Sequence, residues 1–448
     1  MKKFRKFLII LPLLLLSCES NSVNGSNASI NSANKTATLT VTVKDGSNQN
    51  PIANAEAKII LSDGIPSTIK TNNNGVAIFT GLVEGNSYNV EVSANDYIKN
   101  SASTASSNIA IKSNTNSSIN ISMYKSLGSF SGRVLSTSGQ AIDNAVIKVG
   151  NDLTLSDAEG KFRVNISSLT SQNISISKTG YSVLNYGNSD FNINEKDKNG
   201  GDLKLSKTNN QLSVVFDTSK KPFGTDGLGM LSGLSQNLVT LGYKVSFEDF
   251  LNKQNTDQID TLVIACPSND YSESDIEKIV NFTKQGKKLI IIGEWGGYSY
   301  FNSFSINKLI KRANLKINPD IIKETDKLNI LGNDEQIISN NIIPHFITKE
   351  ISKLSFYSSA SVEVINGGSK SIDNNTTKLL AFNSSKGFRI QVYNQGQFAF
   401  IGSSLIDLGK VIVVADSSIF SLDDSDDNGK SNIDKNDNKK IIKNIIEW

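Results

Sequence analysis

The stretch TLVIACPSNDYSESDIEKIVNFTKQGKKLIIIG, residues 261–293, holds two continuous apolar runs on either side of a segment with helical spacing. Residues 261–265 and 288–293 are apolar at nearly every position, which is typical of strands buried on both faces of a parallel sheet. Between them, residues 272–275 (Ser-Glu-Ser-Asp) carry an N-terminal capping signal, and the helical apolar spacing that follows stops at Gly286. The stretch therefore predicts a strand, a helix and a second parallel strand.

The same alternation of strand and helix continues on both sides of this stretch. Residues 212–217 predict a strand, residues 228–241 a helix that ends at Gly242, and residues 243–247 another strand. Partly antiparallel strands are predicted at residues 355–365, 377–382, 388–393, 397–401 and 410–415, and an amphipathic helix at residues 441–448. We therefore expect residues 211–448 to form a doubly wound, flavodoxin-like α/β domain.

Residues 36–207 contain two copies of one unit. PIANAEAKI (51–59) matches AIDNAVIKV (141–149), TNNNGVAIF (71–79) matches SDAEGKFRV (156–164), and VSANDY (92–97) matches ISKTGY (176–181). Three motifs in the same order indicate a duplication. Because each copy consists of short alternating runs separated by Asn, Asp and Gly, we expect two small antiparallel β-sandwiches, at residues 36–125 and 126–207.

These repeated motifs resemble the carboxypeptidase regulatory-like family, whose members are transthyretin-like sandwiches common in exported bacterial proteins. The resemblance implies an accessory module without catalytic residues, which serves as a spacer or a binding surface. The Asn and Gly residues of the motifs are expected to serve turn geometry.

The amino-terminal residues have the pattern of a cleaved export signal. Lys2, Lys3, Arg5 and Lys6 precede an apolar run over residues 7–16 that is too short to span a membrane, and Leu-Leu-Ser-Cys ends at Cys18. The pattern resembles a bacterial lipoprotein signal, which implies a signal peptide at residues 1–17 and fatty acylation of Cys18. The alternative is an ordinary secretory signal with an incidental cysteine.

Residues 18–35 are rich in Ser and Asn and predict a flexible tether. Acylation of Cys18 would anchor the chain through buried methylene groups. We therefore expect localisation in the cell envelope, on the outer or the cytoplasmic membrane, facing the periplasm or the cell exterior.

Composition excludes several classes of partner and chemistry. The formal charge of the 448-residue chain is +3, and four of its 46 basic residues lie in the signal, so the mature chain is close to neutral. The absence of a basic stripe makes nucleic acid an unexpected partner. With one histidine and two cysteines, zinc sites built from several such ligands are excluded, and no other cofactor is expected except calcium.

The α/β region resembles the class I glutamine amidotransferase-like superfamily, and most closely its non-catalytic, export-associated branch. The residues that carry the likeness are Phe216-Asp217, Leu262–Ile264, Leu289–Gly293, His345–Thr348, Val413–Ser418 and Asn444–Trp448. The resemblance implies a nucleophilic cysteine directly after Leu289–Gly293. Glu294 stands there instead, which favours a domain without amidotransferase activity.

Two other constellations are candidates for chemistry. The carboxylates Asp217, Glu294 and Asp416 follow predicted strands, so they are candidate catalytic residues of a hydrolase that acts on an envelope glycan or peptide. Cys266 is reactive only if His345 lies beside it; otherwise the cysteine is a small core residue and the histidine bonds to backbone.

An acidic segment near the carboxyl end has the spacing of a calcium loop. Counting Asp424 as position one places Asp426, Asn428 and Gly429 at positions three, five and six. Position twelve, where a carboxylate should complete the ligand shell, is Lys435, so Asp434 or Asp437 would have to substitute. The alternative is an acidic, solvated loop.

The sequence thus predicts an anchored binding or scaffolding protein, in which a sandwich stalk presents a degenerate amidotransferase-like domain. The expected partners are the membrane, through its lipid, and an envelope glycan or protein. The alternative is the carboxylate-dependent hydrolase.

Overall fold

The computed structural model describes residues 37–60, 66–82, 88–98, 100–103, 111–112, 114–166, 173–187, 197–208, 211–224, 227–365, 377–390 and 394–448. The predicted signal peptide, the tether and the acylation site Cys18 lie outside these residues. Strand is the main secondary structure, and it is divided among several sheets. Within the described residues, no helix combines the length and the apolar character needed to cross a bilayer.

The first repeat is a sandwich of two sheets. Its strands are β1 (Ala37–Asp45), β2 (Glu56–Ile60), β3 (Pro66–Lys70), β4 (Val76–Leu82), β5 (Asn89–Ser93), β6 (Asn100–Ser103) and β7 (Asn116–Met123). The sheets have the orders β4-β1-β7 and β3-β2-β5-β6. Alternate residues of β1, such as Leu39, Val41 and Val43, are fully buried in the core between the sheets, which explains the period-two pattern.

The second repeat has the same topology. Its strands are β8 (Gly128–Ser136), β9 (Val146–Val149), β10 (Asp152–Leu155), β11 (Lys161–Ile166), β12 (Ile174–Ser177), β13 (Leu184–Tyr186) and β14 (Asp197–Leu205). The sheet orders are β11-β8-β14 and β10-β9-β12-β13. Strand for strand, these orders match those of the first repeat.

One strand pair in each repeat departs from the expected antiparallel arrangement. The last strand runs parallel to the first, as β7 does to β1 and β14 to β8, whereas the other pairs in both sandwiches are antiparallel. The last strand arrives from the opposite sheet rather than through a hairpin with its neighbour, so no tight turn dictates an antiparallel direction.

The repeated motifs hold equivalent turns. Thr71 Oγ1 donates to the Ile52 carbonyl at 2.6 Å and accepts from the Ala55 N–H at 2.9 Å, and Ser156 Oγ makes the same pair of bonds to Ile142 and Ala145. Asn54 and its counterpart Asn144 both have a positive φ, of 58° and 51°. The motif residues therefore maintain turn geometry.

We expect Gly160→Ala and the equivalent Gly75→Ala to destabilise their sandwiches by about 2 kcal/mol or more. Both glycines have φ above 70°, which costs an L-residue about 1–2 kcal/mol, and an added Cβ would lie 2.4 Å from the Val134 carbonyl oxygen or 2.3 Å from that of Val43. Gly139→Ala is the control, since Gly139 has φ +84° but no atom within 4 Å of the position that the new methyl group would take. Urea denaturation should separate the variants; equal losses at Gly160 and Gly139 would contradict the steric argument.

A mixed sheet follows the two sandwiches. Its parallel strands are β15 (Ser213–Asp217), β16 (Lys244–Glu248), β17 (Thr261–Ala265), β18 (Lys288–Ile292) and, near the chain end, β29 (Gly409–Val414). Their order is β16-β15-β17-β18-β29. All five residues of β17 and of β18 are buried, which accounts for their continuous apolar sequence.

Further strands, most of them shorter, extend or flank this sheet. They are β19 (Leu315–Ile317), β20 (Ile322–Lys323), β21 (Gln336–Ser339), β22 (Asn341–Ile342), β23 (Leu354–Tyr357), β24 (Val362–Val364), β25 (Lys378–Phe382), β26 (Phe388–Arg389), β27 (Asn394–Gln395) and β28 (Ala399–Ile406). β28 is antiparallel to β29 and continues the sheet through β24 to β19. The single strand predicted at 355–365 is thus two strands that pair with different partners.

In the part of this region that the structure describes, four α-helices accompany the sheet: α1 (Ser232–Thr240), α2 (Glu273–Lys284), α3 (Ser303–Ile310) and α4 (Asn438–Glu447). α1 packs with α4, and α2 packs with α3. The predicted capping box of α2 is present, because Ser272 accepts from the Asp275 N–H and Asp275 accepts from the Ser272 N–H. Helix α3 was not predicted; Asn302 Oδ1 caps it by accepting from the Ser305 N–H at 3.0 Å.

The described residues fall within one compact unit, and the second sandwich packs on the mixed sheet. Its Val146 belongs to the hydrophobic core of the sheet, with Leu153 and Leu155 packed beside it. Lys148 Nζ pairs with Asp407 at 2.8 Å across the same junction. The first sandwich also contacts this region, through an ion pair of Glu91 with Lys378.

Candidate functional site

The three candidate carboxylates, and also Cys266, each follow a parallel strand. Asp217 ends β15, Cys266 follows β17, Glu294 lies two residues after β18, and Asp416 two residues after β29. In the observed strand order, Glu294 and Asp416 are on neighbouring strands, whereas Asp217 is three strand spacings from Asp416. At about 4.8 Å per spacing, that is roughly 14 Å across the sheet. The structure therefore brings two of the three carboxylates together.

Asp217 is held by its own surroundings. Its Oδ1 accepts from the N–H groups of Ser219 and Phe250, both at 3.1 Å, and its Oδ2 accepts from Ser219 Oγ at 2.7 Å and Tyr271 Oη at 3.2 Å. Burial raises the pKa of Asp217, although these bonds oppose the rise. Four donors from the protein give this carboxylate a structural role at the end of β15.

Glu294 is buried against the first residues after β29. Ser417 donates to Glu294 Oε1 twice, from its N–H at 3.0 Å and from Oγ at 2.5 Å. Only 5% of Glu294 is exposed, and burial raises its pKa from 4.5 to about 7. This carboxyl therefore changes protonation near neutral pH.

Asp416 is the second buried carboxyl of the pair. It has no exposed surface; its Oδ2 accepts from the Tyr357 N–H at 2.6 Å and its Oδ1 from the Ser418 N–H at 2.8 Å. Burial, and then the nearby charge of Glu294, raise the pKa of Asp416 well above its usual value. Mutual repulsion in a buried site disfavours simultaneous ionisation of the two groups.

Cys266 lies beside this carboxyl pair in an unusual backbone conformation. Its φ is +39°, its N–H donates to the Ile292 carbonyl at 2.8 Å, and its own carbonyl accepts from the Phe223 N–H at 2.9 Å. Burial, followed by the charge of Glu294, raises the thiol pKa well above 9. The side chain is a protonated, buried thiol rather than an activated thiolate.

His345 lies at the opposite end of the parallel strands. Its ring centroid is 5.2 Å from that of Trp448, and Lys410, near the start of β29, lies over the same Trp448 ring. Cys266 is level with Ile292 at the end of β18, four residues from Lys288, the partner of Lys410. Four residues of strand span about 13 Å, so the cysteine and the histidine do not form a pair.

The environment of His345 keeps its ring neutral. Its Nδ1 accepts from the Ile347 N–H at 3.2 Å. Burial, and then Lys410, lower its pKa to about 3. His345 is thus a loop residue bonded to backbone, the alternative to a Cys266 partner that the sequence left open.

Three lysines at the carboxyl end of α4 were not anticipated from the sequence. Lys178 of the second sandwich donates to the carbonyls of Glu447 and Trp448 at 2.9 and 3.0 Å, Lys410 also donates to Trp448, and Lys288 to Ile446. Burial lowers the pKa of Lys178 to about 8 and those of Lys288 and Lys410 well below 10.5. The cluster caps the carbonyl end of α4, where the helix dipole favours positive charge.

The predicted calcium loop closes around a lysine. The ammonium of Lys435 donates to Asp424 Oδ1 at 3.2 Å, to Asp426 Oδ1 and to Asn428 Oδ1. These oxygens belong to positions one, three and five of the loop, and Lys435 is position twelve. The side chains of Lys435 and Asp426 are each only 4% exposed. An internal cation thus occupies the centre at which the three oxygens converge.

The two carboxylates that would have completed a calcium shell lie elsewhere. Asp434 Oδ2 accepts from Ser431 Oγ at 2.6 Å, and Asp437 Oδ2 accepts from the Ser352 N–H at 2.7 Å. In the described part of the chain, no group of three or more His, Cys, Asp or Glu residues is arranged to hold a metal ion. Calcium binding by Asp424, Asp426, Asn428 and Asp434 stays a prediction, and it would require displacement of Lys435.

Among the residues of the carboxyl pair, Ser417 is the one that the sequence did not single out. Its only signal was its position in the polar run that directly follows the apolar residues of β29. The backbone N–H of Tyr357 had no sequence signal, because it reaches Asp416 through a contact between residues 59 positions apart.

Comparison with known proteins gives distant structural likenesses. No protein-family model matches the chain, and no curated protein matches it. The mmIFT52 N-terminal domain is 16% identical with a TM-score of 0.41, over 52% of this chain and 96% of that one. A streptococcal ancillary pilin is 14% identical with a TM-score of 0.19, over 39% of this chain and 63% of that one. The shaft pilin SpaA from Lactobacillus rhamnosus GG is 11% identical with a TM-score of 0.17, over 39% of this chain and 98% of that one.

Proposed function

We propose that the chain is a lipid-anchored binding or scaffolding protein of the cell envelope. In this proposal Cys18 carries the anchor, and the two sandwiches present a catalytically degenerate amidotransferase-like domain. The observation that supports the absence of catalysis is that the candidate side chains at the carboxyl edge of the sheet are buried or already hydrogen-bonded to the protein. Asp217 accepts four protein hydrogen bonds, Asp416 has no exposed surface, and Cys266 is a fully buried thiol. A substrate at this edge would meet no exposed nucleophile among these residues.

The assignment of a doubly wound α/β domain is supported by the order of the parallel strands. Numbered along the chain, β15, β16, β17, β18 and β29 lie in the order 2-1-3-4-5, which is the flavodoxin-like order. The chain moves in opposite directions across the sheet after β15 and after β17, the two connections that contain α1 and α2. Right-handed crossovers then place α1 and α2 on opposite faces. The separate packing of α1 with α4 and of α2 with α3 agrees with this arrangement.

The hydrolase is the second candidate because of Glu294. A carboxyl with a pKa of about 7 can act as a general acid or base at neutral pH. The burial of Asp416 beside it weighs against this function, because the partner carboxylate cannot reach a substrate without rearrangement of the surrounding residues.

One experiment separates binding from hydrolysis. The full chain is incubated with isolated envelope material, and the protein retained in the pellet and the sugars or peptides released are both measured. We expect retention without release, and equal retention by Glu294→Gln. Release of fragments by the native protein that Glu294→Gln abolishes would establish the hydrolase instead.

We expect Cys18→Ser to transfer the protein from the membrane fraction to the soluble fraction. The reason is that serine offers no thiol for acylation, and burial of acyl methylenes at about 0.8 kcal/mol each is the source of the anchoring energy. Cell fractionation and mass spectrometry of the amino-terminal peptide measure the outcome. Cys266→Ala serves as the control, because it removes the other cysteine and should leave the protein membrane-bound. An unacylated, unprocessed native amino terminus would refute the anchor.

A further inference from the structure

A cavity of about 560 Å³ lies at the junction of the second sandwich and the mixed sheet. The sandwich contributes Asp143, Asn144 and Asp157, which belong to the turns built from the repeated motifs. The opposite wall is the segment from Ile342 to Ile351. Small-molecule sites commonly have volumes of about 300–1,000 Å³ and often lie between structural modules. The proposed scaffolding role does not use this cavity.

The charges around the cavity are balanced. Asp143, Asp157 and Glu350 line it together with Lys349. Two further ammonium groups lie beside the lining residues: Lys440 Nζ is 3.5 Å from Glu350 Oε2, and Lys178 Nζ lies 5.4 Å from the centre of the Phe346 ring. The three carboxylates are therefore matched by three ammonium groups in or beside the cavity, so there is no large excess of charge that would select a strongly charged ligand.

The cavity walls offer fixed hydrogen-bond acceptors. Asp157 Oδ1 accepts from the N–H groups of Glu159 and Lys161 at 3.0 and 2.8 Å, which fixes the orientation of this carboxylate. Thr348 Oγ1 donates its proton to the Ile343 carbonyl at 2.5 Å, so this hydroxyl can only accept from a ligand. Such acceptors match a ligand with many hydroxyl donors.

The other wall supplies apolar surface and one donor. Ile342, Pro344 and Phe346 line it, and the aromatic ring can receive the C–H face of a sugar. His345 also lines the cavity, and because its Nδ1 accepts from backbone, its Nε2 carries the ring proton. A ligand with alternating hydroxyl and C–H surfaces fits this combination.

We propose that this cavity binds a short, uncharged saccharide. Asp143 and Asp157 accept hydrogen bonds from its hydroxyl groups, and Phe346 packs against a ring face. This assignment rests on the proposed binding function and specifies its ligand class and its site.

The test is calorimetric titration of the full chain with cellotriose, maltotriose and chitotriose, and with hexalysine as a cationic probe. We expect at least one trisaccharide to bind and hexalysine not to bind. Asp157→Asn should weaken saccharide binding at least tenfold, because it replaces an acceptor oxygen by an amide donor while Oδ1 still holds the turn. Glu350→Gln is a second variant and should also weaken binding. The Glu350 side chain is exposed and pairs with Lys440 at 3.5 Å.

Asp249→Asn is the matched control, because Asp249 is exposed and accepts from the Asn252 N–H in a turn of the mixed-sheet region outside the cavity. It should bind like the native protein. Absence of heat with every trisaccharide, or heat with hexalysine that Asp157→Asn removes, would overturn the saccharide assignment. If envelope retention persists in that case, only this inference fails; if retention is also lost, the proposed binding function fails with it.

Discussion

Replacement of Lys435 by Ala should destabilise the carboxyl-terminal region by about 3 kcal/mol or more, because it leaves buried acidic oxygens without their cation. The ammonium contacts Asp424, Asp426 and Asn428, and the side chains of Lys435 and Asp426 are almost completely inaccessible to solvent. For a region of this size, such a loss corresponds to a decrease in melting temperature of roughly 6–12 °C. Thermal unfolding followed by circular dichroism provides the measurement.

Calcium should partly restore the stability of Lys435→Ala. Removal of the ammonium frees oxygens at positions one, three and five of a calcium loop, and Gly429 at position six already has φ +83°. A ligand that binds only the folded state raises its stability by mass action. We expect millimolar calcium to raise the melting temperature of the variant, magnesium to raise it less, and chelation to leave the native protein unchanged.

Two further variants separate the ammonium charge from its packing. Lys435→Met keeps an apolar stem and should lose nearly as much stability as Lys435→Ala, whereas Lys430→Ala removes an exposed lysine of the same loop and should have little effect. A Lys435→Ala protein that melts with the native protein would refute the internal-cation interpretation. A native protein destabilised by chelation would instead support the calcium prediction made from the sequence.

Glu294→Gln should make the protein more stable at pH 8 and leave its stability unchanged near pH 4. Burial raises the pKa of Glu294 from 4.5 to about 7, so the folded protein holds this proton more tightly than the unfolded chain does. The stabilisation from this proton is complete below pH 4.5 and is lost as the pH rises through about 7. The full difference corresponds to about 3 kcal/mol.

The measurement is the free energy of unfolding between pH 4 and pH 8. The native protein should lose stability relative to Glu294→Gln as the pH rises, since glutamine keeps an oxygen acceptor for Ser417 but never ionises. Glu277→Gln, at a position 43% exposed on α2, is the control and should parallel the native protein. Parallel pH profiles for the native protein and Glu294→Gln would contradict the raised pKa of Glu294.

The parallel core was predictable from the sequence, and its extension was not. The apolar runs of β17 and β18 leave no polar face, so they identify central strands without tertiary information. The run at 355–365 predicted one strand, but the structure has two. β23 pairs with β21, and β24 pairs with β19 and β28. Their register depends on partners distant in the chain, and local periodicity carries no signal of them.

The candidate site shows the same division. The sequence placed Glu294 and Asp416 at strand ends, but their proximity depends on β29 lying next to β18, although more than 100 residues separate the two strands in the chain. It also placed Asp217 with them, whereas the strand order keeps Asp217 apart. Strand order is decided by pairing between distant segments of the chain. The proximity of Glu294 to Asp416 and the separation of Asp217 from them could therefore not be predicted from the sequence.

The amino-acid sequence by itself determined the duplicated sandwich motifs, the turn roles of Asn54, Asn144, Gly75 and Gly160, and the strand–helix–strand unit around α2. These features depend on local backbone sterics, capping and periodicity, which neighbouring residues fix. Only the tertiary structure decided that Lys435 fills its own acidic loop, that the carboxyls of Glu294 and Asp416 share one buried site, and that His345 is remote from Cys266. Charge balance and protonation depend on which groups meet in space and how far water is excluded, and folding alone sets both.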